Sequence, residues 1–356
     1  MGSTCPPNRR RQDGFRRPSG YLTRCAGLPT LPGLEAKPFR SRGSFRSRYQ
    51  SRSLNYSAVR YLFSKQPIDD RSINRHVLDG LARELAPHSS PPRVLELGAG
   101  VGTMVSRLAD WGVLGRASYT LVDREAEGLR AARRHLTAWG RVTAEAEHSI
   151  RVEKQASVLD VEFVHADLFE FLANPEQSRR YAAVFANAVL DLVDLEPTLP
   201  RIWQVLAPGA LFWFTINFDG ETLFLPEHPL DGPVIQSYHA TMSAGPGRDR
   251  AGHSQTGRRM LVALPASGAQ ILAAGSSDWV VFPLASAGTG TAYPGDEAYF
   301  LRHILETIRV AVAPDPRLSA ADLESWIARR QGQIDRAELA YVAHQLDFLG
   351  RCPQHP

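Results

Sequence analysis

The chain of 356 residues is long enough for one large domain or two modest ones, and its 43% hydrophobic content can form a substantial core. Its three cysteines, Cys5, Cys25 and Cys352, lie near the ends, which excludes a disulfide framework and favours a reducing compartment. No apolar run reaches the roughly 18–20 residues of a membrane helix, and no apolar segment typical of a secretory signal follows the N-terminus. We therefore expect a cytoplasmic protein without a membrane partner.

The positive charge of the chain is concentrated in its first 55 residues. Residues 1–55 contain eleven Arg and one Lys against Asp13 and Glu35, whereas the rest carries 29 basic and 35 acidic side chains. A segment rich in Arg, Ser, Pro and Gly is predicted to be a disordered basic leader without chemistry. An organelle transit peptide, a tail that binds nucleic acid loosely and an incorrectly assigned translation start are the alternatives.

Residues 56–90 are predicted to form an N-terminal helical cap. Asp69 or Asp70 can cap the start of a helix that extends from Ser72 to Ala86. The apolar residues on one face of this helix are Ile73, Val77, Leu78, Leu81 and Leu85. The stretch that precedes it, Tyr61 to Arg71, contains two cations, Lys65 and Arg71.

The stretch from Arg93 to Gly102, RVLELGAGVG, is predicted as a buried strand and a glycine turn. Its nearly continuous apolar run is typical of a parallel strand that is buried on both faces. Gly98, Gly100 and Gly102 let the backbone turn tightly and approach a ligand with no Cβ in the way. Apolar residues then follow at helical spacing: Met104, Val105, Leu108 and Trp111. The order of strand, glycine turn and helix predicts a nucleotide-like ligand.

The spacing of the glycines separates two classes of cofactor. A dinucleotide fingerprint G-x-G-x-x-G needs a glycine at position 103, which is Thr103. The pattern present, E-x-G-x-G-x-G from Glu96 to Gly102, resembles motif I of the class I (seven-strand) S-adenosylmethionine-dependent methyltransferases. The resemblance implies S-adenosylmethionine as the cofactor, with Glu96 and the three glycines in its site. It also implies a cation for the cofactor carboxylate from the helix ahead of the first strand, for which Lys65 and Arg71 are candidates; surface charges are the alternative.

The second strand is predicted over Ala117–Asp123 and ends in an acid 21 residues past Gly102. An acid at this strand tip can accept hydrogen bonds from both ribose hydroxyls of an adenosine cofactor, so we place Asp123 and its neighbour Arg124 at the cofactor site. NAD would satisfy the same pattern, and the acid therefore supports adenosine rather than methyl transfer as such.

The third strand is predicted over Val161–Asp167 and is followed by Leu168. The sequence Ala-Asp-Leu at its end resembles the family motif in which an acid accepts a hydrogen bond from the adenine amino group. The resemblance therefore implies that Asp167 and Leu168 contact the cofactor. The alternative is that Asp167 only caps a short helix over Phe169–Leu172.

The fourth strand, Tyr181–Val189, is an almost continuous apolar run and is predicted to lie in the centre of the sheet. In the family, the residues after this strand face the transferred methyl group and the acceptor. The resemblance therefore implies that Asn187 contacts the cofactor and that Asp191 is a candidate general base. The Asp/Asn-Pro-Pro-Tyr variant that holds planar amino groups of DNA bases or glutamine is absent, which disfavours those acceptors.

A proline-glycine turn over residues 207–210 is predicted to precede the fifth strand, Leu211–Asn217. A helix that ends in Leu-x-Pro-Gly before an apolar strand is another recurring feature of the family. Strands that alternate with helical patterns predict a parallel, doubly wound sheet. We place Asn217, at the end of this strand, in the acceptor site.

Residues 218–256 are predicted to be an irregular insertion that acts as a substrate lid, because they are rich in Gly, Pro and His and show little periodicity. Tyr238 is a candidate acceptor contact, and His239 is a second candidate base. The spacing of the histidines in this segment does not match a metal site, so no metal is expected.

Beyond the lid, helices are predicted over residues 256–268, Glu297–Val312 and Ala320–Ile334, with strand signals between 269 and 283. Residues 338–349 are helical by composition, but the family closes its sheet with an antiparallel strand, and we predict that strand here. Residues 296–356 thus complete a methyltransferase domain over residues 91–356.

Together these elements predict an α/β fold with a doubly wound, mostly parallel seven-stranded sheet of the Rossmann-like methyltransferase type. We expect methyl transfer from S-adenosylmethionine to an oxygen or nitrogen atom of a small-molecule acceptor. An RNA methyltransferase and a non-catalytic binding module are the alternatives, although residues 56–356 show no basic stripe with interleaved aromatic residues. The sequence leaves the oligomeric state open.

Overall fold

The structure, a computed structural model, describes residues 57–86, 90–243, 252–286 and 290–354. The leader, residues 1–55, and the predictions made for it lie outside the described residues. The helices are α1 (Ala58–Ser72), α2 (Arg75–Leu85), α3 (Thr103–Asp110), α4 (Ala126–Trp139), α5 (Leu168–Leu172), α6 (Leu195–Val205), α7 (Asp231–Met242), α8 (Thr256–Ala266), α9 (Glu297–Val312) and α10 (Ala320–Asp335). The strands are β1 (Arg93–Leu97), β2 (Arg116–Asp123), β3 (Arg141–Ala146), β4 (Ser149–Lys154), β5 (Ser157–His165), β6 (Tyr181–Asn187), β7 (Leu206–Leu225), β8 (Gln270–Ser276), β9 (Trp279–Val281), β10 (Leu284–Ser286), β11 (Gly290–Ala292) and β12 (Ala340–Arg351).

The central sheet is doubly wound and mostly parallel, as predicted. Its strand order is β3-β4-β5-β2-β1-β6-β7-β12-β8, and β9 also pairs with β12. The strands β5, β2, β1, β6 and β7 are parallel, and β12 is antiparallel to both β7 and β8. The order of the parallel strands reverses between β1 and β6, and ligands of such sheets bind at the carboxyl ends of the strands next to this point.

The sheet is larger than the seven strands predicted. Seven strands (β5, β2, β1, β6, β7, β12 and β8) match the prediction, and β3, β4 and β9 bring the sheet to ten. The hairpin of β3 and β4 lies between the second and third predicted strands, where no strand was predicted, and β3 is mostly exposed on both faces. A strand without a buried face has no apolar alternation, which is why the sequence did not reveal it.

Helices cover both faces of the sheet and form two hydrophobic cores. Alternate residues of β1 face opposite cores: Val94 packs in the first, and Leu95 and Leu97 pack in the second. The first core includes α1, α2, α9 and α10, and the second includes α5, α6 and α8. Together they bury β1 on both faces, as its apolar run predicted.

The helix predicted for residues 72–86 is α2, which begins three residues later, and a separate helix, α1, precedes it within the predicted cap. Asn74 caps α2, since its side-chain oxygen accepts the Val77 N–H at 3.2 Å. Asp69, which the sequence suggested as a cap, lies inside α1 and forms an ion pair with Lys65 at 2.6 Å.

Much of the predicted irregular lid is regular structure. Strand β7 continues through Leu225, and α7 follows it, whereas residues 244–251 lie outside the described residues. The strand extends because Phe224 is buried against Tyr341 and Trp326. Gly220 and the flanking acids concealed this alternation in the sequence. The prediction of an irregular segment is wrong for these residues, and the lid role stays a prediction.

The proline-glycine turn predicted at residues 207–210 is an irregularity within β7 rather than a connection before it. The pairing of β7 with β6 shifts between Leu206, opposite Tyr181, and Leu211, opposite Ala183. Gly209 has φ +68°, which supplies the local bend. The C-terminal predictions are confirmed: the two long helices are α9 and α10, and the closing antiparallel strand is β12.

Candidate active site

The glycine turn after β1 forms a close-packed backbone surface at the carboxyl end of the sheet. Gly98 and Gly102 have φ +65° and +66°, in the left-handed region that other residues rarely adopt. A Cβ on Gly98 would lie 2.5 Å from Val189 Cγ2, and one on Gly102 would lie 2.8 Å from Ala132 Cβ. The turn predicted from the sequence is therefore confirmed, and it cannot accommodate side chains at these positions without rearrangement.

Asp123 lies beside this turn at the end of β2. Its Oδ2 accepts the Gly100 N–H at 2.7 Å, and its Oδ1 accepts the Glu125 N–H at 2.8 Å. The carboxylate is half-buried, and each oxygen retains a lone pair for a ligand hydroxyl. The neighbouring Arg124 is largely exposed and lies 3.6 Å from the Glu125 carboxylate, so it is less constrained than Asp123.

Glu96 lies below the turn, in the interior of β1. Its side chain is buried, and its Oε2 accepts the Tyr119 hydroxyl at 2.9 Å. Burial raises the pKa of Glu96 to about 7, although the Tyr119 hydrogen bond opposes the shift. The carboxyl group therefore changes charge near neutral pH.

The third predicted acid, Asp167, caps a helix. Strand β5 ends at His165, two residues earlier than predicted, and Asp167 Oδ1 accepts the Phe169 N–H at 2.8 Å at the start of α5. The Asp167 side chain is exposed, and Leu168 packs against the second core. The alternative capping role is thus present, and a contact with adenine stays a prediction.

Helix α1 brings a buried cation to the carboxyl end of β6. Lys65 is 7% exposed, and its Nζ lies 2.6 Å from Asp69 Oδ2 and 3.3 Å from Asn187 Oδ1. Asp69 is held in turn by the Trp279 indole N–H, which donates to Oδ1 at 2.9 Å. A buried ion pair of this kind needs further hydrogen bonds to offset the cost of desolvation, and these contacts supply them.

Arg71, the other candidate cation on α1, is engaged elsewhere. Its guanidinium forms two hydrogen bonds with the Glu297 carboxylate, at 2.5 and 2.9 Å, and donates to the Val280 carbonyl at 3.1 Å. These contacts fix α1 to α9 and β9. Of the two predicted cations, Lys65 is therefore the one that the fold places beside Asn187.

The backbone is strained where β6 and β7 end side by side. Asn187 pairs in register with Thr215, and its Nδ2 donates to Thr215 Oγ1 at 2.9 Å. The residues that follow this pair, Ala188 and Ile216, have φ +54° and +59°. Such conformations cost roughly 1–3 kcal/mol each outside glycine and are concentrated at functional sites. A β-branched residue such as Ile216 is especially unfavourable there.

Asp191 lies in a short 3-10 turn, Leu190–Leu192, directly after β6. Its Oδ1 is buried and has no hydrogen-bond partner among the described residues. Burial raises the pKa of Asp191 to about 6, although a hydrogen bond with its own backbone N–H and, to a lesser extent, the charge of Lys65 oppose the shift. The structure thus holds a buried carboxyl oxygen that lacks a donor, which is the property expected of a group that meets a ligand.

Tyr61, which the sequence analysis did not select, lies in the same region. It stacks on His303 with a centroid distance of 4.0 Å. Burial raises the pKa of Tyr61, and the nearby Tyr238, Asp69 and Asp191 raise it further. The sequence places Tyr61 within the stretch that contains Lys65, but only the fold brings its phenol near Asp191.

The remaining predicted residues are distributed around this region. Tyr238 is half-buried on α7, and His239 lies next to it with its Nε2 3.0 Å from Thr222 Oγ1. Burial lowers the pKa of His239, which favours the neutral imidazole. Asn217 is fully buried and donates to the Leu346 carbonyl at 2.8 Å. Its Nδ2 therefore ties β7 to β12.

Within residues 57–86, 90–243, 252–286 and 290–354, no group of three His, Cys, Asp or Glu side chains could hold a metal ion. No helix in this part of the chain is long and apolar enough to cross a membrane.

Residues 95–214 match a family described as a methyltransferase domain. This part of the chain, about a third of its length, is similar to a methyltransferase domain. The match includes the glycine turn and the acids Glu96, Asp123, Asp167 and Asp191. Lys65 and Tyr61 on α1 and Tyr238 on α7 lie outside the matched range. Solved structures that resemble the chain contain S-adenosylhomocysteine or S-adenosylmethionine.

The chain has distant likenesses among solved structures. Phosphoethanolamine N-methyltransferase 2 of Haemonchus contortus is 15% identical with a TM-score of 0.44; the match covers 89% of this chain and 62% of that one. A geranyl diphosphate C-methyltransferase of Streptomyces coelicolor A3(2) is 12% identical with a TM-score of 0.39, over 77% of this chain and 74% of that one. A methyltransferase of Methanosarcina mazei is 12% identical with a TM-score of 0.40, over 75% and 94%. These likenesses are too weak to identify an acceptor, and no curated protein matches the sequence.

Proposed function

We propose that the protein transfers a methyl group from S-adenosylmethionine to an oxygen or nitrogen atom of a small-molecule acceptor. The proposal rests mainly on Asp191, which follows β6. Its Oδ1 atom is buried without a hydrogen-bond partner among the described residues, and the charge of Lys65 acts to lower its pKa. Asp191 lies directly after β6, at the carboxyl ends of the central strands, where ligands of such sheets bind.

The residues at the glycine turn fit S-adenosylmethionine. The glycines let the turn after β1 pack closely against Val189 and Ala132, and the half-buried Asp123 carboxylate beside that turn suits the two ribose hydroxyls. Lys65 would form an ion pair with the cofactor carboxylate, and Asp167 would accept a hydrogen bond from the adenine amino group. When bound, the cofactor supplies an electrophilic methyl group on its sulfonium.

The chain itself has to orient the acceptor, exclude water and remove a proton. Asp191 Oδ1 would accept a hydrogen bond from the O–H or N–H of the acceptor, which aligns the nucleophile. Because the pKa of Asp191 is about 6, the group is mainly ionised above that pH and can take the proton of a hydroxyl acceptor. A neutral amine needs no base, and for such an acceptor Asp191 would act by orientation alone.

The partly buried aromatic residues around Asp191 favour a small acceptor. Tyr61 packs on His303 from α9, and Tyr238 projects from α7, so three separate helices contribute to the surroundings. Pockets for small molecules typically combine aromatic walls with a few polar groups that fix orientation. We propose that Tyr238 and Asn217 contact the acceptor, with His239 as a second candidate base.

A transfer assay with labelled S-adenosylmethionine tests the proposal. The full chain would be incubated with separate pools of small amines, small alcohols and phenols, and total RNA. We expect label in a small-molecule pool and a large decrease for Asp191→Asn, whereas Asp194→Asn, an aspartate three residues along the same loop, should retain activity. Label in RNA alone would contradict the proposed acceptor class.

A further inference from the structure

Asp347, on the closing strand β12, is a fully buried carboxylate outside the site described above. Its two oxygens accept hydrogen bonds from backbone N–H groups of two distant segments. Oδ1 accepts from Ile216 at 2.7 Å, and Oδ2 accepts from Asn74 at 2.8 Å. A carboxylate placed in the core between two backbone segments is costly unless its hydrogen bonds are made, so its position calls for an explanation.

The first of these contacts holds the strained end of β7. Strand β12 pairs Leu346 with Asn217 and Phe348 with Phe214, so Asp347 alone lies opposite two residues of β7. This is a β-bulge, and Ile216 is the residue in the left-handed conformation. The Ile216 N–H donates to the Asp347 carboxylate in place of a backbone carbonyl of β12. Asp347 therefore stabilises a conformation that isoleucine disfavours.

The bulge determines where the end of β6 lies. Thr215, the residue before Ile216, accepts from Asn187 Nδ2 through its hydroxyl and from the Ala188 N–H through its carbonyl, both at 2.9 Å. Asn187 in turn accepts from Lys65. A displacement of the bulge would move Thr215 and, with it, the polar groups that we assign to the cofactor and acceptor.

The second contact of Asp347, with the Asn74 N–H, connects it to the helix that contains Lys65. Asn74 caps α2 at its junction with α1, and Lys65 lies on α1. Asp347 thus fixes both the strand that positions Asn187 and the helix junction that positions Lys65. These two segments are joined by the hydrogen bond between Lys65 Nζ and Asn187 Oδ1, at 3.3 Å.

We propose that Asp347 is a positioning residue, which sets Asn187 and Lys65 in place through the bulge at Ile216 and the cap at Asn74. The proposal rests on the proposed function for its consequence, since a disordered Asn187–Lys65 contact should weaken cofactor binding. Asp347 itself does not touch the cofactor or the acceptor.

The test combines Asp347→Asn with two readouts on the full chain: calorimetric affinity for S-adenosylhomocysteine and hydrogen exchange of the segment 181–189 without ligand. We expect at least tenfold weaker binding and at least tenfold faster exchange in that segment. Asp219→Asn is the matched control, because Asp219 is also a buried carboxylate on this part of the sheet that accepts a backbone N–H, from Arg258 at 2.6 Å. For Asp219→Asn, both the affinity for S-adenosylhomocysteine and the exchange rate of residues 181–189 should stay within twofold of the values for the unmodified protein.

Unchanged exchange of residues 181–189 in Asp347→Asn would overturn the proposal, whatever the affinity. If the unmodified protein does not bind S-adenosylhomocysteine, the proposed function fails, but the exchange readout still decides the role of Asp347. If Asp347→Asn does not fold, the same substitution can be made in a protein that already carries Ile216→Gly, because glycine adopts the left-handed conformation without strain. Adding Asp347→Asn to Ile216→Gly should change the exchange of residues 181–189 by less than tenfold. A change of tenfold or more would contradict the proposal.

Discussion

The backbone N–H of Gly100 donates to Asp123 Oδ2 at 2.7 Å, which joins the glycine turn after β1 to the acid at the end of β2. The two features were predicted separately, from residues 23 positions apart, as parts of one adenosine site. Their contact means that the carboxylate both stabilises the turn and remains oriented for a ligand. Loss of either partner should therefore affect cofactor binding.

Asp123→Ala should weaken binding of S-adenosylhomocysteine by about 1–3 kcal/mol, because the ribose hydroxyls and the Gly100 N–H lose their acceptor. Calorimetric titration measures the change. Asp160→Ala is a suitable control, since Asp160 is an exposed carboxylate on β5 that pairs with Arg151 at the surface. Equal affinities for the unmodified protein and Asp123→Ala would remove Asp123 from the site.

Two glycine substitutions separate backbone strain from loss of space at the turn. Gly102→Ala adds a Cβ 2.8 Å from Ala132 Cβ at φ +66°, so we expect a loss of roughly 2–5 kcal/mol in the free energy of unfolding. Gly112 has a similar φ of +73° but nothing within 4 Å of its Cβ position, and Gly112→Ala should cost only about 1–2 kcal/mol. Chemical denaturation measures both. Equal losses would show that crowding at the turn contributes nothing.

Glu96 should make the stability of the protein depend on pH. Since its folded pKa is about 7 and its ordinary value is 4.5, the folded state binds the proton more tightly than the unfolded state between these values. The Glu96 contribution therefore falls as the pH rises from 4.5 towards 7, and then levels off. Glu96→Gln should remove this dependence and gain up to about 3 kcal/mol relative to the unmodified protein between pH 5 and pH 8. Denaturation at the two pH values is the test, and a constant difference between the proteins would contradict it.

Asp191→Asn should spare cofactor binding and lower turnover of a hydroxyl acceptor by roughly 10²–10⁴-fold, the usual contribution of a general base. With the carboxylate present, turnover should rise with pH through about 6, where Asp191 loses its proton. Rates measured from pH 5 to pH 8, once an acceptor is found, would show both effects. A pH profile that is identical in the variant would exclude Asp191 as the base.

The strands with a buried face could be predicted from the sequence. The apolar runs of β1 and β6 and the helical periodicity of α9 and α10 each reflect one dominant physical requirement, burial, which repeats at a fixed period. The hairpin of β3 and β4 was missed because it makes its hydrogen bonds at the edge of the sheet without burying much of β3. Strand β7 was predicted too short because polar residues and Gly220 interrupt its outer half.

The candidate site could be predicted from the sequence only in part, because some of its residues are brought together only by the fold. The glycine turn and Asp123 are local patterns whose chemistry follows from their place after a strand. In the cluster of Lys65, Asp69 and Trp279, the hydrogen-bonded Asp69 and Trp279 are 210 positions apart, and only the docking of α1 on β9 brings them together. Neither Tyr61 nor Asp347 carries a local signal, since each acquires its role from partners on other elements. The choice between Lys65 and Arg71 likewise depends on Glu297, which lies on α9.

We propose that S-adenosylmethionine binds at the carboxyl ends of the central strands. Calorimetric titration of the full chain with S-adenosylhomocysteine, alongside NAD, is the test of this proposal. We expect micromolar binding of S-adenosylhomocysteine and no binding of NAD. Binding of NAD, or binding of neither compound to a folded sample, would contradict it.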